Sequence, residues 1–287
     1  MKLRPATEAD FPAEYEIFRA AIGDLFRRHA FEPPNPPPEA FAAQLAHLLA
    51  HDAPRCFVAE DGGRVVAFAA ALVRGDAWFL SSLFVEPGHQ RGGVGRALLE
   101  ATWGGGYRLR LTMTDSIQPA SNGLYARRGL VPATPVLALA GTPAAGTHPP
   151  GLEAAAGSAS PDILAELDRA AYGFDRAPDH VYWARLARRT VWLRDGEAVA
   201  YSYLWPQGGR IGPVAGLDGE AAGLAVRAEL ARRAPLPSSL LVPGSARECV
   251  KAALEAGLRL VGPPGLLLVS DDVVAPRSLC AGGFALL

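Results

Sequence analysis

Lysine is almost missing from this chain. Lys2 and Lys251 are the only two in 287 residues, and arginine supplies the rest of the positive charge. Cysteine is scarce as well. Cys56, Cys249 and Cys280 are odd in number and widely spaced, with no CxxC and no Cys/His cluster, so neither a disulfide framework nor a metal site is implied. Neither sign of charge dominates: 28 Lys+Arg against 29 Asp+Glu leave a net charge of −1, which argues against nucleic acid or an anionic membrane as partner. No apolar run approaches a membrane span. Met1-Lys2-Leu3-Arg4-Pro5 leads directly into acidic residues without the apolar segment of a signal peptide, so a cytoplasmic protein is expected. The load of Ala, Gly, Pro and Arg suggests a GC-rich bacterial genome.

The chain does have ample apolar material, 49% of its residues, and enough length for two domains of about 140 residues each. Its most informative stretch is SSLFVEPGHQRGGVGRAL at 81–98. A short apolar strand (Leu83, Phe84, Val85) runs through Pro87 into the turn Gln90-Arg91-Gly92-Gly93-Val94-Gly95-Arg96, and a helix begins near Ala97. Glycines between strand and helix let the backbone approach a ligand, and the first helical N–H groups stay unpaired. Those groups and the positive end of the helix dipole favour an anion, usually phosphate. Arg91 and Arg96 add charge. Gly93 and Gly95 are expected at the surface, where a side chain would block phosphate without disturbing the core. No Gly-Lys-Ser/Thr follows, as a Walker loop requires, and GxGxxG is absent.

Around this stretch, Leu3–Ala6 reads as a strand, and Thr7-Glu8-Ala9-Asp10 as a helix start with Thr7 as N-cap. Ile17, Phe18, Ala21, Ile22 and Leu25 form one helical face, and Phe41, Leu45, Leu48 and Leu49 a second after the prolines at 33–38. Strands at 56–60 and 65–73 are joined by Asp61-Gly62-Gly63, a hairpin signal. Residues 78–85 make the strand before the turn and 109–112 the strand after its helix. SNGLYARRGLVP at 121–132 is a helix ending at a glycine. Residues 141–151 lack pattern and read as a linker.

The second half then repeats the first. CFVAEDGGRVVAFAAAL at 56–72 resembles TVWLRDGEAVAYSYL at 190–204, and YARRGLVPATPVLAL at 125–139 resembles ALEAGLRLVGPPGLLLV at 253–269. The copies differ where chemistry would sit. Gly219-Glu220-Ala221-Ala222-Gly223 stands where the first half has its glycine turn, and Ala253 stands for Tyr125. Glu220 sets negative charge where phosphate would lie. The closing segment 282–287 is apolar enough to dock as a strand.

Strand, QxxGxG turn, helix, strand and a helix bearing Tyr-x-x-x-Gly over residues 1–140 resemble the GCN5-related N-acetyltransferase (GNAT) family. The repeat resembles tandem members such as mycothiol synthase-like proteins. The resemblance implies an α/β (α+β) chain of two tandem GNAT-like domains, each a mixed, mostly antiparallel sheet flanked by helices. Residues 1–140 would hold the acetyl-CoA site and 152–287 a degenerate copy.

The implied function is an acyltransferase that moves acetyl from acetyl-CoA to a primary amine of a small molecule or a peptide N-terminus. Leu83, Phe84 and Val85 would pair through their backbone with the pantetheine arm. Gln90, Arg91, Gly92, Gly93, Val94, Gly95 and Arg96 would wrap the pyrophosphate. Tyr125 matches the family tyrosine that protonates the departing thiolate, and a phenol of pKa about 10 keeps its proton at neutral pH. Asn122 either holds the pantetheine or caps its helix.

The base is open between Asp115, which also reads as a plain turn residue in Thr114-Asp115-Ser116, and a water relay. Ser81 and Ser82 stand where many members carry a glutamate, and Glu86 falls at a position usually exposed. His29, His47, His51 and His89 have no carboxylate partner in the pattern and read as surface residues. Trp78, Phe26, Phe31 and the segment around Pro36 either line the acceptor pocket or are core. A nearly neutral chain does not point to polyamines. A monomer or a homodimer fits equally, and an acyl-CoA sensor without turnover is the competing reading.

Overall fold

A computed structural model describes residues 1–155, 160–270 and 276–287, which form two compact units, Met1–Val131 and Pro132–Leu287.

In the first unit, strand β1 (Lys2–Pro5) leads to helix α1 (Phe11–Arg28). The Asp10 carboxylate sets the entry angle. It accepts the Thr7 N–H at 2.8 Å and both Arg4 guanidinium nitrogens at 2.8 and 2.7 Å. Helix α2 (Pro38–Asp52) follows the prolines, then β2 (Cys56–Asp61) and β3 (Arg64–Arg74). Gly62 and Gly63 both adopt φ > 0, as a tight hairpin turn requires. Next come β4 (Ala77–Val85), α3 (Val94–Trp103), β5 (Leu109–Asp115) and α4 (Pro119–Ala126). Strands β1 to β4 pair antiparallel in chain order, and β5 joins β4 parallel.

The two faces of this sheet carry different helices. Ala59, Ala67 and Ala69 meet Val94 and Leu98 of α3, together with Leu83 and Val85. Phe68 and Phe84 meet Ile17, Phe18 and Phe41 of α1 and α2. Along β4, Leu83 and Val85 thus point to α3, and Phe84 between them to α1, the period-two alternation of a strand buried on both faces.

The division between units falls after Val131, not at residue 140. Strand β6 (Val131–Gly141) belongs from Pro132 onward to the second unit, where residues 136–141 pair antiparallel with β11 (Ser238–Pro243) and Leu139 lies fully buried in the core. Residues 142–149 form no helix or strand, yet Ala144 N–H bonds the Ala256 carbonyl at 2.9 Å and His148 packs on Trp192, so this stretch lies along the second unit.

Strand β7 (Leu152–Ala154) precedes helices α5 (Pro161–Tyr172) and α6 (Ala177–Ala184). Then follow β8 (Arg188–Arg194), β9 (Glu197–Leu204), β10 (Ile211–Gly216) and α7 (Gly219–Arg233). After β11 come α8 (Arg247–Glu255), β12 (Arg259–Leu260), β13 (Gly265–Val269) and β14 (Leu279–Cys280). The order β14-β10-β9-β8-β7 makes one antiparallel sheet. Helix α7 packs closely on α8, because a Cβ on Gly223 would lie 2.7 Å from Glu248 Cβ.

The closing segment docks, but not as the expected strand. The pairing residues are Leu279 and Cys280, and 282–287 dock through buried Leu286 and Leu287. Asp168 and Arg176 anchor the end of the chain from beneath. Asp168 is fully buried and accepts the Arg176 N–H at 2.9 Å, Tyr201 Oη at 2.6 Å and His180 Nε2 at 2.9 Å, and Arg176 donates to the backbone oxygen of Leu287.

Candidate active site

The first unit's sheet opens where β4 and β5 part. Their parallel ladder runs from Ala77↔Leu109 to Leu80↔Thr112 and stops, although β4 continues to Val85 and β5 to Asp115. Across β4, the partner of Ala70 is Ser82 and that of Ala71 is Leu80, so Ser81 is an extra residue bulged out of the ladder. A bulge bends its strand and ends regular pairing, and this one sits at the fork. Beyond it, one edge of Ser82–Val85 is paired to β3 and the other faces no strand of this unit.

At the top of β4 the chain turns through Glu86, which is held by Arg64 at 2.8 and 2.7 Å and by His89 at 2.9 Å. Arg91 and Gly93 then take left-handed conformations, with φ of 69° and 84°. The first helical bond of α3 runs from Ala97 N–H to the Gly93 carbonyl at 3.0 Å, and no side chain caps the helix. The N–H groups of Val94, Gly95 and Arg96 are therefore left without an intrahelical acceptor. A Cβ on Gly92 would meet only the His89 carbonyl, at 3.8 Å, and one on Gly93 nothing within 4 Å, so the loop's outer side is open.

The expected site residues are not all placed alike. Gln90 is exposed and folds back on the strand end, its Nε2 donating to the Val85 carbonyl at 3.1 Å. Both arginines of the turn are exposed, but Arg96 lies on Glu100 at 3.0 Å, which leaves Arg91 as the one without an ion pair among the described residues. Val94 is buried in the α3 core and offers only its backbone. Gly95 is half-buried rather than at the surface. A Cβ there would sit 3.4 Å from Leu83, 3.7 Å from Val85 and 3.8 Å from Leu124, where α3 packs on β4 and α4.

Asn122 does not cap its helix, because Gln118 holds that position. Its Nδ2 donates to the carbonyls of Asp115 and Ser116, each at 3.3 Å, and this fastens α4 to the end of β5. Its Oδ1 is buried without a hydrogen-bond partner among the described residues, as is Ser81 Oγ. Tyr125, three residues further on and so on the same helical face, is buried. Burial raises its phenol above the ordinary value, against a hydrogen bond with Ser121, so it is protonated at neutral pH. Burial pushes the Asp115 carboxyl up to about 6, with no charged neighbour contributing.

Several expected candidates lie elsewhere. Trp78 is core, its Nε1 donating to the Thr102 carbonyl at 2.9 Å. Phe31 is exposed, and the Pro36 carbonyl accepts Tyr15 Oη at 2.9 Å. His47 is buried beside His51 rather than at the surface. Phe26 joins Phe18, Phe84 and Ile117 in one apolar cluster on the α1 face.

An orphaned hydroxyl and an orphaned amide oxygen near an unpaired strand edge, below an open loop with free N–H groups, fit a long ligand with hydrogen-bonding amides and phosphate at one end. The residues present therefore suit coenzyme A. In the second unit the matching place is closed. Asp218 caps α7, and Glu220 pairs with Arg194 at 3.0 Å.

Residues 52–131 match the family model described as an acetyltransferase (GNAT) domain. No curated protein matches the chain. Among solved structures, a candidate acetyltransferase from Pyrococcus horikoshii is 15% identical over 100% of this chain and 95% of its own, with a TM-score of 0.77. A GCN5-related N-acetyltransferase from Sphaerobacter thermophilus is 16% identical over 96% and 98%, with a TM-score of 0.63. A tandem GNAT protein from the clavulanic acid biosynthesis pathway is 17% identical over 94% and 98%, with a TM-score of 0.55. The match places a GNAT acetyltransferase domain at residues 52–131, and the chain shares the fold of these solved structures. The family uses acetyl-CoA as its acyl donor.

Proposed function

We propose that the first unit transfers acetyl from acetyl-CoA to the primary amine of a small molecule or a peptide N-terminus. The observation that carries this reading is the fork of β4 and β5 at Leu80 and Thr112, set below the uncapped start of α3. Acetyl-CoA, when bound, supplies a thioester whose acyl carbon accepts the amine. The chain's own groups do the rest. Backbone N–H groups of Val94, Gly95 and Arg96, with Arg91, hold the pyrophosphate. The edge of Leu83, Phe84 and Val85 that faces no strand of this unit pairs with the pantetheine amides as an added strand would, the Val85 carbonyl being shared with Gln90. Ser81 Oγ and Asn122 Oδ1 gain partners there, which offsets the cost of burying them unpaired. Tyr125 Oη keeps its proton for the leaving sulfur.

Calorimetry with acetyl-CoA on the full chain, followed by thiol release across a panel of primary amines, tests the proposal. Binding together with amine-dependent thiol release supports it. Binding with no release for any amine would favour a sensor of acyl-CoA, and no binding would remove both readings.

A further inference from the structure

We propose that Asp115 is the group that takes the proton from the attacking amine, an inference that rests on the acyl transfer proposed above. Other acids of the first unit near the sheet are already engaged. Arg4 holds Asp10, Arg74 holds Asp52 at 2.9 Å, and Arg64 and His89 hold Glu86. Glu14, on α1, is buried in the core. The Asp115 carboxylate has no hydrogen-bond or ion-pair partner among the described residues.

Its place is defined from two sides. Asn122 ties the main chain at Asp115 and Ser116 to α4, the helix that carries Tyr125. Ile117, two residues on, packs with Phe18, Phe26 and Phe84 on the α1 face. Asp115 thus stands at the open end of β5, between the helix bearing the proton donor and an apolar wall.

An alkylammonium has a pKa of about 10, well above that of any carboxylate, so the transfer is uphill in water. An apolar surrounding disfavours both charged forms, lowering the ammonium as it raises the carboxyl, and brings the two together. The Asp115 carboxyl, raised to about 6, stays mostly ionised at neutral pH and able to accept. The same wall favours an amine carried on an apolar group.

Two protons leave the nitrogen. The first passes from the bound ammonium to Asp115 and then to solvent. The nitrogen lone pair forms the C–N bond, and the C–S bond breaks with its electron pair moving to sulfur. The second proton leaves nitrogen and replaces the one Tyr125 has given to sulfur. Ammonium and thioester become amide, thiol and one released proton.

The test compares Asp115→Asn with the unaltered chain on two nucleophiles, the best alkylamine of the panel and hydroxylamine, which is already neutral near pH 7. The variant is expected to lose ~10²–10⁴-fold in kcat/KM for the alkylamine and less than about threefold for hydroxylamine. Acetyl-CoA affinity by calorimetry should not change. Carbon-13 NMR of the ligand-free chain should show one carboxyl with a midpoint near 6 that is absent from Asp115→Asn. Equal losses for both nucleophiles, unchanged alkylamine turnover, or a midpoint near the ordinary value of about 4 would each overturn the assignment. Acetyl-CoA binding without turnover of any amine by the unaltered chain would instead defeat the proposed function, and this assignment with it.

Discussion

Asp218 accepts the backbone N–H of Ala221 at 2.8 Å, so α7 begins under its own carboxylate, whereas α3 begins at Gly93 with no side-chain cap. The two helices occupy matching places in the repeat, and only one leaves its positive end free. A phosphate at α7 would have to displace a charge-assisted bond and lie beside two carboxylates, Asp218 and Glu220. One acetyl-CoA per chain is the expected stoichiometry. Titration of the ligand-free protein checks it, and a value near two would count against the distinction between the helices.

The loop glycines separate binding from folding. Gly92 is exposed, lacks a positive φ, and has open space around its Cβ position. Gly92→Asp should therefore weaken acetyl-CoA binding at least ~10-fold, through charge and bulk beside the phosphate, with the melting temperature almost unchanged. Gly95→Asp would instead place a carboxylate against Leu83, Val85 and Leu124, and should cost about 1–3 kcal/mol of stability as well as affinity. Thermal melts and calorimetry on both variants give the comparison. Equal melting temperatures for the two would contradict the packing at Gly95.

Tyr125→Phe keeps the ring in its buried place and removes only the hydroxyl. Turnover should fall by ~10²–10⁴-fold with little change in acetyl-CoA affinity. Single-turnover kinetics with the best amine isolate the chemical step. A loss below about tenfold would assign the hydroxyl a packing role with Ser121 instead.

In the second unit the fully buried Asp168 meets Arg176, His180 and Tyr201. Burial alone would raise its carboxyl, but Arg176 and the hydrogen bonds from His180 and Tyr201 hold it below the ordinary value. Removing one partner of a buried ion pair leaves the other charge stranded, at a cost of about 3–5 kcal/mol. Asp168→Ala should destabilise the chain by that order in urea denaturation. A change under about 1 kcal/mol would mean that Arg176 finds other acceptors, Leu287 among them.

The turns were legible because their chemistry is local, whereas helix starts were placed less well: α3 begins at Val94 rather than near Ala97, and α1 at Phe11 after a short turn rather than at Thr7. Asp61-Gly62-Gly63 calls for a hairpin whatever surrounds it, and Gly92-Gly93 between strand and helix calls for an open loop. Features set by partners distant in sequence were not. Nothing in 131–141 says that its neighbour is β11 rather than β5, since both are apolar strands of similar length. The bulge at Ser81 depends on the register with Ala70 and Ala71, which no pattern within β4 reveals. Trp78 could be read as pocket or core until its indole was seen on the Thr102 carbonyl. Asp168, Arg176 and His180 lie on two helices and the turn between them, without a spacing that marks them as one network.

Glu14 makes the stability of the fold depend on pH, with a sign set by its burial. It is 2% exposed on α1, and burial pushes its carboxyl up to about 8, with Asp10 adding to the rise and Arg4 opposing it. In the unfolded chain a glutamate titrates near 4.3. Between those two values the folded state holds a proton that the unfolded state has released. Stability is then fully present below pH ~4 as far as this group is concerned, and falls as pH rises toward 8. Asp10 works in the opposite sense at lower pH. Arg4 holds it near 2, so its contribution is lost as pH falls through the acid range. Glu14→Gln removes the first effect and leaves the second. Denaturation at pH 5 and pH 8 should show the unaltered chain weaker at pH 8, by a few kcal/mol at most, and the variant much less so. If both chains lost the same stability between these pH values, Glu14 would be ionised in the fold, and the carboxylate would have to find a partner beyond Arg4.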